Sequence, residues 1–315
     1  MIFHYAVSAS PRRVDMKVTL ECAHCLLERA INQVKLATDD PELRMRVVES
    51  MTKFLGENFN SDAVPSHIGT DRDLLVQKMT GNDPYRNLKR QSNEMALNLL
   101  PDLQKLVDEH QDPMKRFRTA TLITAAANAI EFDVSGRDFS LDELRLILDN
   151  VETDLVIDQV DEFRSYVENV GEVLYLMDNA GEVVLDMILI REIRRVGPRV
   201  IAVVKSGPIL NDATTVDADE VGLAECADEV RDTGAAAIGV NLDRSSESFK
   251  RLFSSAELIV AKGMGNFESL TEFEPSCPTV HILRTKCNPV AEHVGVPRHK
   301  NVVLIRKPPN VEYVS

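Results

Sequence analysis

Short apolar runs alternate with helical patterns in the second half of the chain, and this alternation restricts the possible folds more than any other feature. The apolar runs are Val173–Met177, Val200–Val204, Leu258–Ala261, Val280–Leu283 and Val302–Ile305, and helical spacing occurs near 182–196, 214–224, 246–255 and 266–273. Such alternation is typical of βαβ units on a mostly parallel sheet. We therefore predict a Rossmann-like α/β domain.

The first half of the chain has a different pattern. Residues 20–165 are predicted to be mainly helical, with apolar side chains at helical spacing and few strand signals. We accordingly predict two regions, a helical N-terminal cap at 1–165 and a Rossmann-like domain at 166–315 that carries the metal site. A cleft shared by the two regions is the expected place for a ligand.

Composition limits the possible partners. The chain has 315 residues, and its 50 acidic residues outnumber its 36 basic ones, for a net charge of −14. Nucleic-acid binding requires a basic surface and is disfavoured. No run approaches the ~20 apolar residues of a membrane span. Its five cysteines form no even disulfide framework, and the N-terminus does not read as a signal peptide, so we expect a cytoplasmic protein.

A polar motif follows the first apolar run. It reads Asp178-Asn179-Ala180-Gly181-Glu182, and the next helix begins there. In open α/β sheets, ligands bind outside the carboxyl ends of the strands. A carboxylate beside a carboxamide and a glycine turn is well placed to hold a divalent metal ion that serves a phosphate.

A second motif follows the next run, in the stretch from Lys205 to Thr215, and contains Asn211 and Asp212. It should lie at the same edge of the sheet as Asp178. Two carboxylates and one carboxamide, from Asp178, Asp212 and Asn179, form an all-oxygen set that suits Mg²⁺ or Mn²⁺. The alternative is that Asn211 and Asp212 only cap the helix that follows.

A third motif, Lys262-Gly263-Met264-Gly265-Asn266-Phe267-Glu268, leads from a strand into a helix. Backbone N–H groups at a helix N-terminus bind phosphate oxygens, and a lysine at the strand end can add a positive charge. The alternative is an ordinary strand–helix turn with Lys262 on the surface. One pair of glycines does not decide between the two.

The cysteines give a fourth motif. Cys22 and Cys25 are three residues apart and could bind zinc or cycle as a dithiol, with Cys287 and His24 as further zinc ligands. Zinc normally takes four ligands, and the sequence has no second close cysteine pair. The alternative is that these are buried structural thiols.

Together these motifs resemble one family, the metal-dependent damage-control phosphatases, once a domain of unknown function. Cys22-x-x-Cys25, Asp83-Pro-Tyr-Arg with Lys89 and Asn93, and Arg284-Thr-Lys-Cys287 resemble its archaeal-type, cysteine-containing subfamily. The resemblance extends from about residue 17 to 306. It implies a helical N-terminal region on a three-layer α/β/α core.

The resemblance also implies divalent-metal-dependent hydrolysis of small phosphomonoesters, such as sugar phosphates or damaged phosphometabolites. Asp178, Asn179 and Asp212 would hold the metal (Mn, Mg, Co or Ni), and Lys262 would bind phosphate, together with Gly265 and Asn266. The resemblance also places Asn128 and Glu131 in the substrate pocket. One departure is that Ala127 and Glu131 stand where the family usually has Gly and Asp, which leaves the reach of this segment and the choice of substrate open.

For the mechanism, we expect the metal to act as a Lewis acid while Lys262 and the amides near Gly265 neutralise phosphate charge. The nucleophile is either water, with Glu182 as a possible proton acceptor, or Asp178 itself. No Asp-x-Asp pair follows the strand, which favours water. Two competing interpretations are a non-catalytic phosphometabolite or nucleotide sensor and a thiol or zinc protein that uses Cys22 and Cys25. A third is a methyltransferase-type enzyme, but this sequence has no Gly-x-Gly-x-x-Gly motif after its first predicted strand.

Overall fold

The computed structural model describes residues 15–127 and 141–309. The helices in these ranges are α1 (Leu20–Ala37), α2 (Pro41–Asn58), α3 (Pro65–Thr80), α4 (Arg86–Asp108), α5 (Pro113–Ala126), α6 (Leu141–Thr153), α7 (Val160–Glu168), α8 (Glu182–Val196), α9 (Thr215–Glu220), α10 (Glu247–Ser254), α11 (Gly263–Leu270) and α12 (Asn288–Val294). The strands are β1 (Leu155–Asp158), β2 (Glu172–Leu176), β3 (Arg199–Val204), β4 (Glu229–Asp232), β5 (Leu258–Lys262), β6 (Thr279–Arg284) and β7 (Asn301–Arg306).

The strands form one sheet in the order β1-β7-β6-β5-β2-β3-β4. Neighbouring strands are parallel except for β6 and β7, so β1 and β7 run opposite to the other five. The chain passes from β2 to β3 on one side and later returns to β5 on the other side of β2. A crevice forms where the strand order reverses in this way, outside the carboxyl ends. The loops after β2, β3 and β5 therefore meet there.

Helices cover both faces of the sheet. On one face Val173 and Val200 belong to a large core that includes residues of α4, α5 and α8. On the other face Leu174 and Ile201 pack with Phe249 of α10. This arrangement confirms the predicted α/β class with helices on both sides of the sheet. None of the helices within the described ranges has the length and apolar character needed to cross a membrane.

The helices before the sheet fall into two groups. α1, α2 and α3 pack around a small core of their own, which includes Val34, Met51 and Val76. α4 and α5 instead contribute to the large core beneath the sheet. The predicted boundary at residues 165 and 166 lies within α7, and β1 precedes it although it pairs with β7. The division into 1–165 and 166–315 stays a prediction.

The five strands predicted from apolar runs are confirmed as β2, β3, β5, β6 and β7. The sequence did not predict β1 and β4, which are four-residue strands at the two edges of the sheet. β4 reads Glu-Val-Arg-Asp and has only one apolar residue. β4 therefore carries little of the apolar signal on which the prediction depends, whereas β1, Leu-Val-Ile-Asp, is apolar but only four residues long.

Candidate active site

The loops after β2 and β3 are joined to each other by their backbones. The N–H of Ala213 donates to the carbonyl of Asp178 at 2.8 Å, and Asn179 and Asp212 pair across a short antiparallel bridge. Because this pairing fixes the two loops side by side, Asp178, Asn179 and Asp212 lie together at the carboxyl edge of the sheet. The three residues predicted to hold a metal are thus neighbours.

The side chain of Asn179 links two carboxylates. Its Nδ2 donates to Asp178 Oδ2 at 3.0 Å and to Glu182 Oε1 at 2.7 Å. Glu182 is the first residue of α8 and is buried. These two hydrogen bonds hold the carboxamide of Asn179 in one orientation.

Two side chains of α4 hold the same loops from the helical side. Asn93 Oδ1 accepts the N–H of Gly181 at 2.7 Å, and Lys89 Nζ donates to the carbonyl of Asp212 at 3.4 Å. Both side chains also contact Asp217, through Lys89 Nζ at 2.7 Å and Asn93 Nδ2 at 3.1 Å. Lys89, Asn93 and Asp217 are all buried. The polar residues that the sequence placed on this helix therefore support the loops.

Burial and nearby negative charges raise the pKa of two carboxyl groups at the site. Burial raises the pKa of Asp178 well above its ordinary value, and the negative charges of Glu182 and Asp212 raise it further. Burial also raises the pKa of Asp212 to about 7, although Lys205 Nζ lies 3.8 Å from its Oδ2. A bound divalent cation favours the charged form of nearby carboxylates. The crowded acidic groups therefore fit such a cation.

Residues 15–127 and 141–309 contain no group of three His, Cys, Asp or Glu side chains that could hold a metal ion. The site instead offers two carboxylates and one carboxamide. Oxygen donors of this kind suit hard cations, which commonly keep several waters and complete their coordination with substrate phosphate. The donor set thus agrees with a site that a phosphorylated ligand completes.

Lys262 lies beneath the site and not at the surface. Its side chain is fully buried, and Nζ donates to Asp186 Oδ1 at 2.9 Å and to the carbonyl of Thr124 at 3.2 Å, with Glu182 Oε2 at 3.8 Å. Burial lowers the pKa of Lys262, but the carboxylates of Asp186 and Glu182 outweigh it, so the pKa is raised. Phosphate binding by Lys262 stays a prediction, and it would require the ammonium group to leave Asp186.

The turn from β5 into α11 places a glycine directly against Asp178. Gly263 has a φ of +75°, and a Cβ at this position would lie 1.8 Å from Asp178 Oδ2. Only a residue without a side chain can therefore occupy the turn while Asp178 keeps its position. Gly265, in the first turn of α11, lines the adjacent cavity.

Asn266 joins the ends of two strands. Its Nδ2 donates to the carbonyl of Met177 at 3.0 Å and to that of Lys262 at 2.8 Å. The side chain is 2% exposed. This position gives Asn266 a role in holding the loops together, and its predicted contact with substrate stays untested.

A cavity of about 920 Å³ opens in front of these loops. Asp178, Asn179 and Asp212 line it on the sheet side, and residues of α1 and α3 line it on the helical side. Lys286, in the loop after β6, also lines it and has an exposed side chain. Burial raises the pKa of Asp178, and the positive charge of Lys286 acts in the opposite direction and lowers it. The two groups are therefore near each other. Asn128 and Glu131 lie outside the described residues.

The three cysteines of the fourth motif lie along this cavity as free thiols. The N–H of Thr19 donates to Cys22 Sγ at 3.4 Å, which belongs to the cap of α1. Burial raises the pKa of Cys287 to about 11, and the negative charges of Glu268 and the two other cysteines act in the same direction. Metal ligands and nucleophilic cysteines require the thiolate, which a raised pKa disfavours.

Sequence reasoning missed Asp186, a buried residue behind the site. Its Oδ1 accepts hydrogen bonds from Tyr175 Oη at 3.1 Å and from Lys262 Nζ, and burial raises its pKa to about 6 even though Lys262 opposes the shift. A signal was present, because Asp186 lies four residues after Glu182 on a helix whose other buried residues are mostly apolar. Acidic residues at this spacing share one face of a helix.

A family model described as the damage-control phosphatase ARMT1-like domain matches residues 18–302. The chain belongs to this family. The damage-control phosphatase of Archaeoglobus fulgidus is 35% identical over 283 residues, which cover 89% of this chain and 96% of the relative. That of Pyrococcus horikoshii is 34% identical over 296 residues, with 93% and 99% covered. The resemblance read from the motifs is confirmed.

A solved structure gives the same result for the fold of this family. The crystal structure of a DUF89 family protein from Pyrococcus horikoshii matches with a TM-score of 0.82 and 33% sequence identity. The match covers 93% of this chain and all of the other chain. An uncharacterized protein of Methanocaldococcus jannaschii is 37% identical over 297 residues, covering 93% of this chain and 96% of its own length.

Proposed function

We propose that this protein is a divalent-metal-dependent phosphatase of small phosphomonoesters, such as sugar phosphates or damaged phosphometabolites. The observation that carries the proposal is the pairing of the loops after β2 and β3, which gathers Asp178, Asn179 and Asp212 on one wall of a cavity. Membership of the family and the names of the archaeal relatives support a phosphatase that acts on damaged metabolites.

Asp178, Asn179 and Asp212 would hold the metal ion. The Nδ2 of Asn179 is engaged by two carboxylates, so its carboxamide oxygen is the atom assigned to the cation. When bound, a divalent cation would supply Lewis-acid polarisation of a phosphoryl oxygen. Glu182 accepts a hydrogen bond from Asn179 and is not among the described residues that line the cavity. We therefore assign Glu182 the role of orienting the Asn179 side chain.

The negative charge of the phosphate needs a cation that reaches the cavity. Lys286 meets this requirement, since its side chain is exposed in the cavity near Asp178. The N–H groups of the first turn of α11, around Gly265, add hydrogen-bond donors. We assign Lys262 a supporting role, because its charge is already paired with Asp186 and stabilises the carboxylates of the site from below.

Water is the nucleophile that this arrangement favours. A carboxylate oxygen of Asp178 or Asp212 accepts its proton, since both side chains line the cavity. Most of the remaining work is positioning and charge stabilisation, as in phosphoryl transfer generally. The residues of α4 contribute by fixing both loops before substrate arrives.

The test is hydrolysis of p-nitrophenyl phosphate by protein freed of metal and then supplied with Mg²⁺, Mn²⁺, Co²⁺ or Ni²⁺. Asp178→Asn and Asp212→Asn should each lower kcat/KM by about 100-fold or more, because metal-ion stabilisation of the transition state contributes several kcal/mol. Asp243→Asn, at an exposed position, is the control.

Full activity in the presence of EDTA, or in either site variant, would exclude the proposed metal site. Binding of phosphomonoesters without any hydrolysis would favour the alternative, a non-catalytic phosphometabolite sensor.

A further inference from the structure

A buried arginine on α3 lines the same cavity as Asp178, Asn179 and Asp212. Arg72 is 1% exposed, and its Nε and Nη2 have no hydrogen-bond partner among residues 15–127 and 141–309. Other buried cations near the cavity are paired, Lys89 with Asp217 at 2.7 Å and Lys262 with Asp186 at 2.9 Å. Because an unpaired buried charge is costly, Arg72 is a group that a bound anion would satisfy.

The hydroxyl group of Ser66, on the same helix, is also buried without a hydrogen-bond partner in the described residues. Ser66 is also 1% exposed and lines the cavity, and its Oγ has no partner within the described part of the chain. Positions 66, 69 and 72 follow one another at three-residue steps, so they lie close to one face of α3. Gly69, between the other two, also lines the cavity. Two unsatisfied donors therefore lie along one stretch of the wall.

The nearest charges do not neutralise Arg72. Burial lowers its pKa, and the positive charge of Arg29, which also lines the cavity, lowers it further. The adjacent acid, Asp73, attracts the guanidinium but makes its hydrogen bonds elsewhere, accepting the N–H of Leu210 at 3.3 Å and Gln77 Nε2 at 2.5 Å. The adjacent charges therefore leave Nε and Nη2 of Arg72 without a hydrogen-bond partner in the described part of the chain.

We infer that Arg72 and Ser66 form an anion subsite for a second acidic group of the substrate. The inference deepens the proposed function and depends on it for the position of the reacting phosphate, at Asp178 and Asp212. A guanidinium binds carboxylate and phosphate through paired N–H···O bonds, and a serine hydroxyl adds a further donor. The substrate class is therefore a phosphomonoester that carries a second anionic group, as a phosphorylated acid or a bisphosphate does.

Two probes with the same three-carbon chain test this subsite by titration calorimetry, with Ca²⁺, another hard cation that binds oxygen ligands, in place of the catalytic metal while binding is measured. 3-Phosphoglycerate has a carboxylate where glycerol 3-phosphate has a hydroxymethyl group. The protein should bind 3-phosphoglycerate roughly 10- to 100-fold more tightly, the size expected for a hydrogen bond to a charged group. Arg72→Gln should bring the ratio of the two affinities close to one, and Ser66→Ala should reduce this ratio by a smaller factor. Arg46→Gln, exposed on α2, should keep it.

Fructose 6-phosphate and fructose 1,6-bisphosphate form a second pair, which tells whether the second anion is phosphate. A preference in only one pair identifies that anion, and equal binding within both pairs overturns the subsite. An undiminished ratio in both Arg72→Gln and Ser66→Ala also overturns it, and Ser66→Ala decides alone if Arg72→Gln does not fold.

Hydrolysis of the same probes separates this inference from the proposed function. If neither probe is hydrolysed but calorimetry shows the preference and its loss in Arg72→Gln, the subsite stands and the phosphatase fails. If both probes are hydrolysed with equal kcat/KM and bound equally, the phosphatase stands and the subsite fails.

Discussion

The cavity has a sheet wall, formed by the loops that carry Asp178, Asn179 and Asp212, and a helical wall, formed by α1 and α3. The two walls differ in how their buried charges are paired. On the sheet side, Lys262 is hydrogen-bonded to Asp186 and Lys205 lies 3.8 Å from Asp212, so buried cations face carboxylates. On the helical side, Nε and Nη2 of Arg72 have no partner in residues 15–127 and 141–309. Internal pairs hold the first wall in place before any ligand arrives. On the second wall Arg72 has no such pair in that part of the chain, and we infer that a ligand supplies it.

The two walls also differ in the kind of backbone that forms them. The sheet wall consists of loops, which keep a fixed shape because backbone bonds join them and because α4 holds them through Lys89 and Asn93. The helical wall is a face of α3, whose backbone is already satisfied by its own helix. Side chains on this face are therefore free to serve a ligand, whereas many on the sheet wall must also maintain the loops.

The largest effect should come from removing the cation beneath the sheet wall. Lys262→Met leaves Asp186 and Glu182 buried without their positive partner, and breaking a buried pair in this way costs about 3–5 kcal/mol. We expect a lower free energy of unfolding in urea at pH 8, because Lys262 lowers the pKa of the buried Asp186 carboxyl and its removal makes the charged form of Asp186 more costly. Arg72→Gln should cost far less, because Nε and Nη2 of Arg72 hydrogen-bond to no carboxylate in residues 15–127 and 141–309.

The double variant Lys262→Met/Asp186→Leu is the control for this difference. It removes both charges and should regain part of the lost stability. If Lys262→Met instead unfolds like the unmodified protein and only phosphate affinity falls, Lys262 contacts substrate, as the sequence predicted, and the contrast between the walls is wrong.

The next effect should come from the turn that contacts Asp178. In Gly263→Ala the new Cβ would meet Asp178 Oδ2, and a misplacement of about 1 Å at a catalytic group can cost about 100-fold in rate. Gly295→Ala is the matched control, because Gly295 has a φ of +83° and nothing within 4 Å of a Cβ. Both variants should lose about 1–2 kcal/mol of stability from backbone strain. Only Gly263→Ala should lose activity towards p-nitrophenyl phosphate.

Equal activity losses in the two glycine variants would contradict this prediction. They would show that strain in the backbone, and not the position of Asp178, controls catalysis.

A smaller effect is expected at Lys286, the exposed cation near the sheet wall. Lys286→Ala should raise KM for p-nitrophenyl phosphate by roughly tenfold, since it removes one charged hydrogen bond to phosphate. Lys286→Arg should recover most of the affinity, and stability should change little because the side chain is exposed. Lys53→Ala, exposed on α2, is the control. An unchanged KM in Lys286→Ala would remove this residue from the site.

Much of the sheet wall could be predicted from the sequence. Apolar runs located the central strands, and the polar residues after Met177 and Val204 had to meet at one edge because parallel strands end there. The position of Lys262 could not be predicted in this way. A lysine at a strand end can point to the cavity or beneath it, and the choice depends on Asp186, whose place on α8 becomes decisive only after the helix packs on the sheet.

The helical wall was much harder to predict. Arg72 lies in a helix with polar residues on several sides, where an arginine usually faces solvent. Its burial depends on α1 and α11 packing against α3, contacts between parts of the chain that are far apart in sequence. Local patterns contain no information on such contacts, so neither Arg72 nor Ser66 could be identified from spacing alone.

The smallest effect is expected from the cysteines at the edge of the helical wall. Cys25 is exposed, and Cys22 accepts a weak hydrogen bond from Thr19 in the first turn of α1. Because the described residues offer no group that could hold a metal with these thiols, Cys22→Ser and Cys25→Ser should each change stability by about 0.5 kcal/mol or less. Urea unfolding measured with and without a zinc chelator tests this.

Cys226→Ser is the matched control for these two variants, because it places a hydroxyl where a fully buried thiol packs in the large core. It should lose more stability than either of them, since burying a more polar group in an apolar core is unfavourable. Stoichiometric zinc in the purified protein, together with a chelator-sensitive loss of stability that disappears in Cys22→Ser, would contradict the prediction. The helical wall would then be held by a metal-bound cluster, and the contrast with the internally paired sheet wall would no longer apply.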